Sequence, residues 1–224
     1  MATKKKELSS IQRDSKGGRG ILAPGGDKKE LSNLLTGRKY FVEIGTCYFD
    51  TLNETLGDAG WHGVVVEPVV KYLNMLDRYN GITYINSAID DKRGSRVMDV
   101  YKEDKVEKDS DYAGMSAFTE YTKERNKKFV DQYTVSTITY EDAVFMGGIP
   151  RVDFLKLDTE GHDYTILSSI DFNNRALRPS LIKAEAKHYD SNKVIELLES
   201  NGYLVFEEAD DVYAIDKVVY LWVI

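Results

Sequence analysis

Short apolar runs alternate along this chain with amphipathic stretches whose apolar residues recur at helical spacing. The run "HGVVVEP" is typical of a strand buried on both faces of a parallel sheet. Strands are predicted at 39–45, 62–68, 82–89, 151–158 and 180–186. Helices are predicted at 51–60, 69–79, around 162–170 and at 192–202. This alternation predicts an α/β fold with right-handed βαβ units: a doubly wound, mostly parallel sheet with helices on both faces.

Two further apolar runs, at 203–208 and 217–224, follow the last predicted helix. They lie close enough in sequence to form a hairpin. We therefore expect a seven-stranded sheet with an antiparallel C-terminal pair at its edge.

Two segments interrupt the alternation. Residues 1–30 are rich in Gly and Lys and poor in apolar side chains, which predicts a flexible basic arm before a single domain at 31–224. Residues 101–133 are charged, with Tyr and Phe interleaved, and are too long for a simple connection. We expect either a lid-like insertion or a solvated helical one, and in both cases a ligand contact from the small apolar patch at 114–118.

Composition limits the function classes. The net charge of −7 argues against a nucleic-acid-binding protein, although the basic arm offers charge to phosphates or to an acidic partner. No run of 18 apolar residues occurs, so no membrane span is expected. The N-terminus lacks the apolar core of a secretory signal, and the single cysteine, Cys47, excludes an intramolecular disulfide. We therefore expect a cytoplasmic protein.

Candidate chemistry lies where the predicted strands end, because ligands of open parallel sheets bind beyond the carboxyl ends of the strands. The first strand ends in Glu43-Ile44-Gly45-Thr46, and Gly45 allows a tight turn and close backbone approach to a ligand. The further glycines of the dinucleotide pattern G-x-G-x-x-G do not follow. The pattern therefore favours a nucleoside ligand without a pyrophosphate.

The next two strand ends fit the same kind of ligand. Glu67, followed by Pro68, ends the second strand, where an acid accepts hydrogen bonds from both ribose hydroxyls. The third strand ends in "NSAIDD", where Ser87 and Ala88 suit a slot for a purine. Together these strand ends point to S-adenosylmethionine as the cofactor.

The motifs resemble, in order, those of FkbM-type methyltransferases, a class I S-adenosylmethionine-dependent family. The matching segments are "FVEIGTCYFDT", "VVVEP", "NSAID", "VSTITYEDAV" and, most specifically, "VDFLKLDTEGHDYTIL". The match spans roughly 40–224 and is loose at 101–133. The resemblance implies a Rossmann-like fold and methylation of a hydroxyl on a sugar or another small molecule.

The resemblance also assigns roles to matched positions. By this correspondence the cofactor-binding residues are Glu43, Gly45 and Thr46 near the methionine part, Glu67 and Pro68 at the ribose, Ser87 and Ala88 at the adenine, and Asp158. Asp158, Glu160 and Gly161 match the family's Asp-x-Glu-Gly core. The chain departs from the family at 46–49, where the usual small residues are replaced, and at Asp163, where Glu is more common.

Methyl transfer to a hydroxyl requires alignment of the acceptor and removal of its proton. The candidates for this catalytic role are Asp158, His162 and His188. A plain packing role is the alternative for His162. For Glu160 and Asp163 the choice is between a site role and support of the turn and of the helix start.

A metal site is a further hypothesis. Asp158 and Glu185 end neighbouring predicted strands, so their carboxylates could hold Mg²⁺ through oxygen, with His188 or Asp190 nearby. This arrangement is similar to that of catechol O-methyltransferase. The alternative is that Glu185 binds the substrate directly or pairs with Lys156 or Lys187.

Three function classes remain at this point. The favoured one is a methyltransferase whose partner is a small-molecule acceptor, and a homo-oligomer is compatible with it. The second is an oxidoreductase on a related sheet, against which the missing glycine pattern argues. The third is a non-catalytic binding or assembly protein that retains the fold.

Overall fold

The computed structural model describes residues 38–48, 51–101, 115–122, 130–186 and 191–223. In this part of the chain a large, mostly parallel sheet is covered by helices, which confirms the predicted mixed α/β class. The arm predicted at 1–30 lies outside the described residues.

Two sheets carry the described strands. The main sheet contains β1 (Tyr40–Ile44), β2 (His62–Val66), β3 (Ile82–Ile85), β8 (Phe154–Leu157), β9 (Leu181–Glu185), β10 (Tyr203–Glu208) and β11 (Asp211–Asp216). The second sheet contains β4 (Ala88–Ile89), β5 (Gly94–Tyr101), β6 (Ser116–Phe118) and β7 (Val130–Ile138). The described helices are α1 (Leu52–Asp58), α2 (Val70–Leu73), α3 (Tyr140–Gly147), α4 (Asp163–Ser169), α5 (Ser191–Ser200) and α6 (Lys217–Val223).

The order of strands in the main sheet is β10-β11-β9-β8-β1-β2-β3. The five strands from β9 to β3 run parallel, while β11 pairs antiparallel with both β9 and β10. From β1 the chain moves outward through β2 and β3, and it then returns to β8 on the other side of β1. The direction of winding therefore reverses between β1 and β8.

The central strands are buried on both faces, as their continuous apolar runs predict. In β1, Phe41 joins an apolar cluster that includes Leu52 and Leu56 of α1, whereas Val42 joins a second cluster. That second cluster includes Ala143 of α3 and residues of α4 and α5. Successive side chains of a strand point to opposite faces, so these clusters mark helices on both sides of the sheet.

The C-terminal end differs from the sequence prediction. β10 and β11 form an antiparallel pair at the edge, but the second strand is Asp211–Asp216, and Lys217–Val223 is helical. A two-residue turn containing Ala209, whose φ is 53°, returns the chain directly into β11. Apolar periodicity alone does not distinguish a short strand from a short helix, which is why 217–224 was assigned wrongly.

The predicted strand at 82–89 is two strands. β3 ends at Ile85, and β4 leaves the main sheet to pair in parallel with β7. The predicted helix at 69–79 is also wrong in length, because only Val70–Leu73 is helical. Its N-cap is Val69, which offers no side-chain hydrogen bond, and β-branched residues lose side-chain freedom in a helix.

The predicted insertion at 101–133 belongs to a larger unit. Its described parts are strands and a turn: β6 and the start of β7 both pair with β5, and a turn follows β6. This contradicts the helical alternative at those residues, while the lid-like role stays a prediction. Ala117 and Phe118 of the apolar patch are buried in the protein itself.

Helix α3 was missed by the sequence analysis although it carries a local start signal. Thr139 and Asp142 form a capping box, in which each side chain accepts a hydrogen bond from the backbone of the other. Among the described residues, no helix has both the length and the apolar character needed to cross a membrane.

Candidate functional site

The reversal of winding between β1 and β8 opens a crevice at the carboxyl ends of these strands, which is where ligands bind in open α/β sheets. The ends are held in register by backbone hydrogen bonds from Gly45 to Val66 and from Asp158 to Ile44, each 3.0 Å long. The sequence candidates at the ends of β1, β2 and β8 are thereby brought to one edge of the sheet.

Glu43 holds the start of α1. Its carboxylate, 0% exposed, accepts hydrogen bonds from the Thr51 hydroxyl and from the backbone N–H groups of Leu52 and Asn53, over 2.7, 2.8 and 3.1 Å. The Lys156 ammonium lies 3.3 Å from Oε1 of Glu43. These contacts give Glu43 a positioning role beneath the crevice.

Gly45 is required by both its conformation and its surroundings. Its φ is +77°, and a Cβ at this residue would lie 1.9 Å from the carbonyl oxygen of Asp158. The next residue, Thr46, is buried, and its hydroxyl has no hydrogen-bond partner among the described residues. The turn after β1 therefore carries a polar group that is able to receive a ligand.

Glu67 is 1% exposed at the end of β2, and its two oxygens are oriented separately. The backbone N–H of Cys47 donates to Oε2 and that of Val69 donates to Oε1, both over 2.8 Å. Burial raises the pKa of Glu67 to about 7, against the effect of these two hydrogen bonds. Each oxygen retains a further lone pair, which is the acceptor pattern that a vicinal diol needs.

Ser87 and Ala88 pack toward the second sheet. The Ser87 hydroxyl donates to the carbonyl of Ser136 over 2.8 Å, and Ala88 is buried in β4. Asn86, which sequence reasoning missed, donates from its side chain to the carbonyls of Glu67 and Pro68, both over 2.9 Å. Asn86 thereby ties the end of β3 to the segment that follows Glu67.

A groove with a volume of about 730 Å³ begins directly after Glu67. The groove is lined by residues 68–72, Asn86, Val100, Tyr101, Asp131 and residues 133–136. It separates the end of β2 from the second sheet, so a ligand bound at Glu67 has room to extend along it.

Asp158 lies at the end of β8 with 40% of its side chain exposed. One carboxylate oxygen from each of Asp158, Glu160 and Glu185 lies within 4.8 Å of the other two. The Lys156 ammonium is 3.8 Å from Asp158 and partly balances this negative charge. The predicted pair of Asp158 and Glu185 is thus close in space, whereas His188, Lys187 and Asp190 lie outside the described residues.

Asp163 begins α4 and is 0% exposed. Its Oδ2 accepts a hydrogen bond from the backbone N–H of Thr159 over 3.2 Å, and its Oδ1 has no partner within the described part of the chain. Burial raises the pKa of Asp163 to about 7. The predicted support of the turn is therefore present, together with a spare acceptor.

His162 is buried between two polar partners. Its Nε2 lies 2.9 Å from Oδ1 of Asp90, and its Nδ1 lies 2.9 Å from the hydroxyl of Tyr121. Burial lowers the pKa of His162, although Asp90 acts in the opposite direction. Neither partner was selected from the sequence, because 72 positions separate Asp90 from His162 and 41 separate Tyr121 from it.

Comparison with known proteins identifies the family of this chain. No curated protein matches the sequence significantly. The family model of the methyltransferase FkbM domain matches residues 39–205, which is well over half of the 224-residue chain. That range contains the ends of β1, β2, β3, β8 and β9 and the whole second sheet. The chain therefore belongs to the FkbM methyltransferase family.

Proposed function

We propose that this protein transfers a methyl group from S-adenosylmethionine to a hydroxyl of a sugar or another small molecule. The observation that carries the proposal is the pair of separately oriented oxygens of Glu67, buried beside the turn at Gly45. A carboxylate in this setting suits the two hydroxyls of a ribose.

The residues fit this cofactor. Glu67 would hold the ribose, and the groove after Pro68 has room for the base. The backbone at Gly45 and the Thr46 hydroxyl, which has no partner among the described residues, would face the methionine part. When bound, the cofactor supplies an electrophilic methyl group on a sulfonium. Ser87 and Ala88 remain predicted at the adenine side.

The half-buried carboxylates at the end of β8 support an acceptor site there. Asp158 lies at the end of β8 close to Glu160 and Glu185, and hydroxyl groups hydrogen-bond readily to such carboxylates. This acid-rich rim supports an acceptor that carries hydroxyls, and it disfavours an anionic one.

The experiment is calorimetric titration of the protein with S-adenosylmethionine and with S-adenosylhomocysteine. We expect micromolar binding of both. Glu67→Ala should weaken binding by about 1–3 kcal/mol, because it leaves the ribose hydroxyls and two backbone N–H groups without their acceptor. Glu199→Ala, which removes an exposed carboxylate from α5, is the matched control and should bind as the wild type does.

Absence of binding by either compound in a folded sample would contradict the proposal and favour the non-catalytic binding protein. If the cofactor binds, the next step is to screen monosaccharides, glycosides and phenols as acceptors of a radiolabelled methyl group. Asp158→Asn should then slow transfer to the best acceptor and leave the affinity for S-adenosylhomocysteine nearly unchanged.

Magnesium binding by Asp158 and Glu185 stays a prediction. Their proximity supports it, but groups of exposed acids are common without an ion, and Lys156 already neutralises part of the charge. The titration is therefore repeated with Mg²⁺ alone and with Mg²⁺ plus the cofactor. A heat of Mg²⁺ binding that Glu185→Gln abolishes would support the metal site. Absence of this heat would favour a role for the two carboxylates in binding the acceptor.

A further inference from the structure

A chain of hydrogen bonds links Asp90, His162 and Tyr121, and its direction follows from chemistry. Burial opposes ionisation of Asp90, but hydrogen bonds from Asp91, His162 and Arg96 together lower its pKa. An ionised carboxylate only accepts, so Nε2 of His162 carries a hydrogen and donates it to Asp90. In the neutral ring Nδ1 is then the acceptor, and the Tyr121 hydroxyl donates to it.

Among the described residues, this hydrogen-bond chain is accessible at its Tyr121 end. Asp90 is 2% exposed and His162 is 3% exposed, whereas Tyr121 is partly exposed. The inner end is fixed, because the Arg96 guanidinium lies 3.1 Å from Oδ2 of Asp90 and stacks over Phe118. Phe118 in turn meets the His162 ring edge-to-face, with 4.8 Å between centroids. In the described part of the structure, Tyr121 is therefore the route by which a small molecule exchanges a proton with His162.

The outer end lies beside the crevice. His162 follows directly after the Asp158–Gly161 turn at the end of β8. Tyr121 packs against the same apolar cluster as Cys47 and Tyr48, which belong to the turn after β1. Tyr121, shortly after β6 of the second sheet, is thus linked to one of these turns through His162 and to the other through this cluster.

We propose that Tyr121 is a catalytic residue that contacts the acceptor hydroxyl and passes its proton to His162, with Asp90 as the positioning residue of the imidazole. This inference rests on the proposed function. The acceptor O–H gives its proton to the Tyr121 oxygen while the phenol proton moves to Nδ1 of His162. The acceptor oxygen forms a bond to the methyl carbon, and the carbon–sulfur bond breaks with its electron pair going to sulfur. The positive charge that began on the sulfonium ends on the imidazolium, beside Asp90.

This arrangement follows the logic by which a buried carboxylate fixes the tautomer of a catalytic imidazole and stabilises its protonated form. Among the described residues, the charged or titratable groups that act on the ring are Asp90, Asp91, Arg96 and Tyr121. His162 is neutral before the reaction, because burial lowers its pKa, and it is therefore competent to accept a proton.

Two variants test the chain independently of the acceptor, by NMR titration of the His162 ring in the protein bound to S-adenosylhomocysteine. Tyr121→Phe removes a donor that stabilises the neutral ring, so the pKa of His162 should rise. Asp90→Asn removes the negative charge that stabilises the protonated ring, so the pKa of His162 should fall. If the substitutions merely loosened the packing, the pKa of His162 would move toward that of an exposed histidine in both variants. Tyr164→Phe, which removes a hydroxyl from the helix that follows His162, is the control and should leave the titration unchanged.

Assays of methyl transfer then test whether catalysis depends on this hydrogen-bond chain. Tyr121→Phe should lower turnover about 100-fold, the lower range for loss of general acid–base catalysis, while the affinity for S-adenosylhomocysteine stays unchanged. Opposite pKa shifts together with this loss would support the relay. Unchanged turnover in Tyr121→Phe, or a His162 titration that neither variant alters, would overturn it. Failure of the wild type to bind S-adenosylhomocysteine would instead reject the proposed function, since the hydrogen-bond chain is still measurable in the free protein.

Discussion

At the scale of single residues, the backbone conformation of Gly45 determines how closely two turns of the site approach each other. Its φ of +77° lies in the left-handed region, and the carbonyl oxygen of Asp158 occupies the place where a side chain would begin. This close approach brings the turn after β1 against the end of β8. A larger residue would have to move one of these two segments and thereby change the crevice.

A comparison of two glycines separates conformation from crowding. Gly60 has nearly the same φ, +78°, but a Cβ there would meet nothing within 4 Å. We expect Gly60→Ala to lower the free energy of unfolding by about 1 kcal/mol, the cost of a left-handed alanine. Gly45→Ala carries the same conformational cost and also places a Cβ against the carbonyl oxygen of Asp158. It should therefore lower the free energy of unfolding clearly more than Gly60→Ala does. Urea denaturation measures both, and equal losses would contradict the role assigned to the Asp158 carbonyl.

At the scale of elements, a buried ion pair joins the two strands that border the crevice. Glu43 of β1 and Lys156 of β8 are direct neighbours in the parallel register, and their side chains are 0% and 5% exposed. The same carboxylate caps the start of α1. One buried acid thus fixes the distance between the strand ends and the entry of the chain into the first helix.

Breaking this pair should be costly. Lys156→Met leaves the buried charge of Glu43 without its cation, so we expect a loss of about 3 kcal/mol in the free energy of unfolding. Lys193→Met, at an exposed position of α5, should change it little. The double variant Glu43→Gln/Lys156→Met should lose less than the sum of the single variants, because it strands no charge. Strict additivity in urea denaturation would rule out the coupling.

At the scale of the whole molecule, two buried acids make the stability dependent on pH. The pKa of Glu67 is raised from 4.5 to about 7, and that of Asp163 is raised from 3.8 to about 7, in each case chiefly by burial. At a pH between the ordinary and the raised pKa of each acid, the folded protein holds a proton that the unfolded chain has released. The free energy of unfolding therefore falls as pH rises through this window. His162 acts in the opposite sense, because its lowered pKa makes the unfolded chain the better proton acceptor.

We expect the free energy of unfolding to decrease by on the order of 2–5 kcal/mol between about pH 5 and about pH 8, since each unit of pKa shift corresponds to about 1.4 kcal/mol. Asp163→Asn should remove roughly half of this slope, because it leaves Glu67 as the other acid with a strongly raised pKa. Urea denaturation at several pH values provides the measurement. A wild-type stability that rises over this range would show that the buried acids do not titrate as proposed.

The sequence revealed those parts of the site that lie in one short segment each. Gly45, Glu67 and Asp158 follow apolar strands directly, and parallel pairing brings such strand ends to one edge whatever the connections contain. Glu185 was found by the same argument, and the structure brings it close to Asp158. Asp90, Tyr121 and Asn86 were missed, because their partners are distant in sequence and no local pattern marks them.

The sequence by itself determined the α/β class, the parallel strands and the polar residues at their ends, because hydrophobic periodicity and strand-end position are local properties. Only the tertiary structure decided that the described strands between 88 and 138 form a second sheet, whose strand β6 ends shortly before Tyr121 and which braces Asp90 through Arg96 of β5. It also decided which acids are buried, and so whose pKa values rise. Both outcomes depend on contacts between segments far apart in the chain, where pairing and desolvation are settled by packing rather than by local pattern.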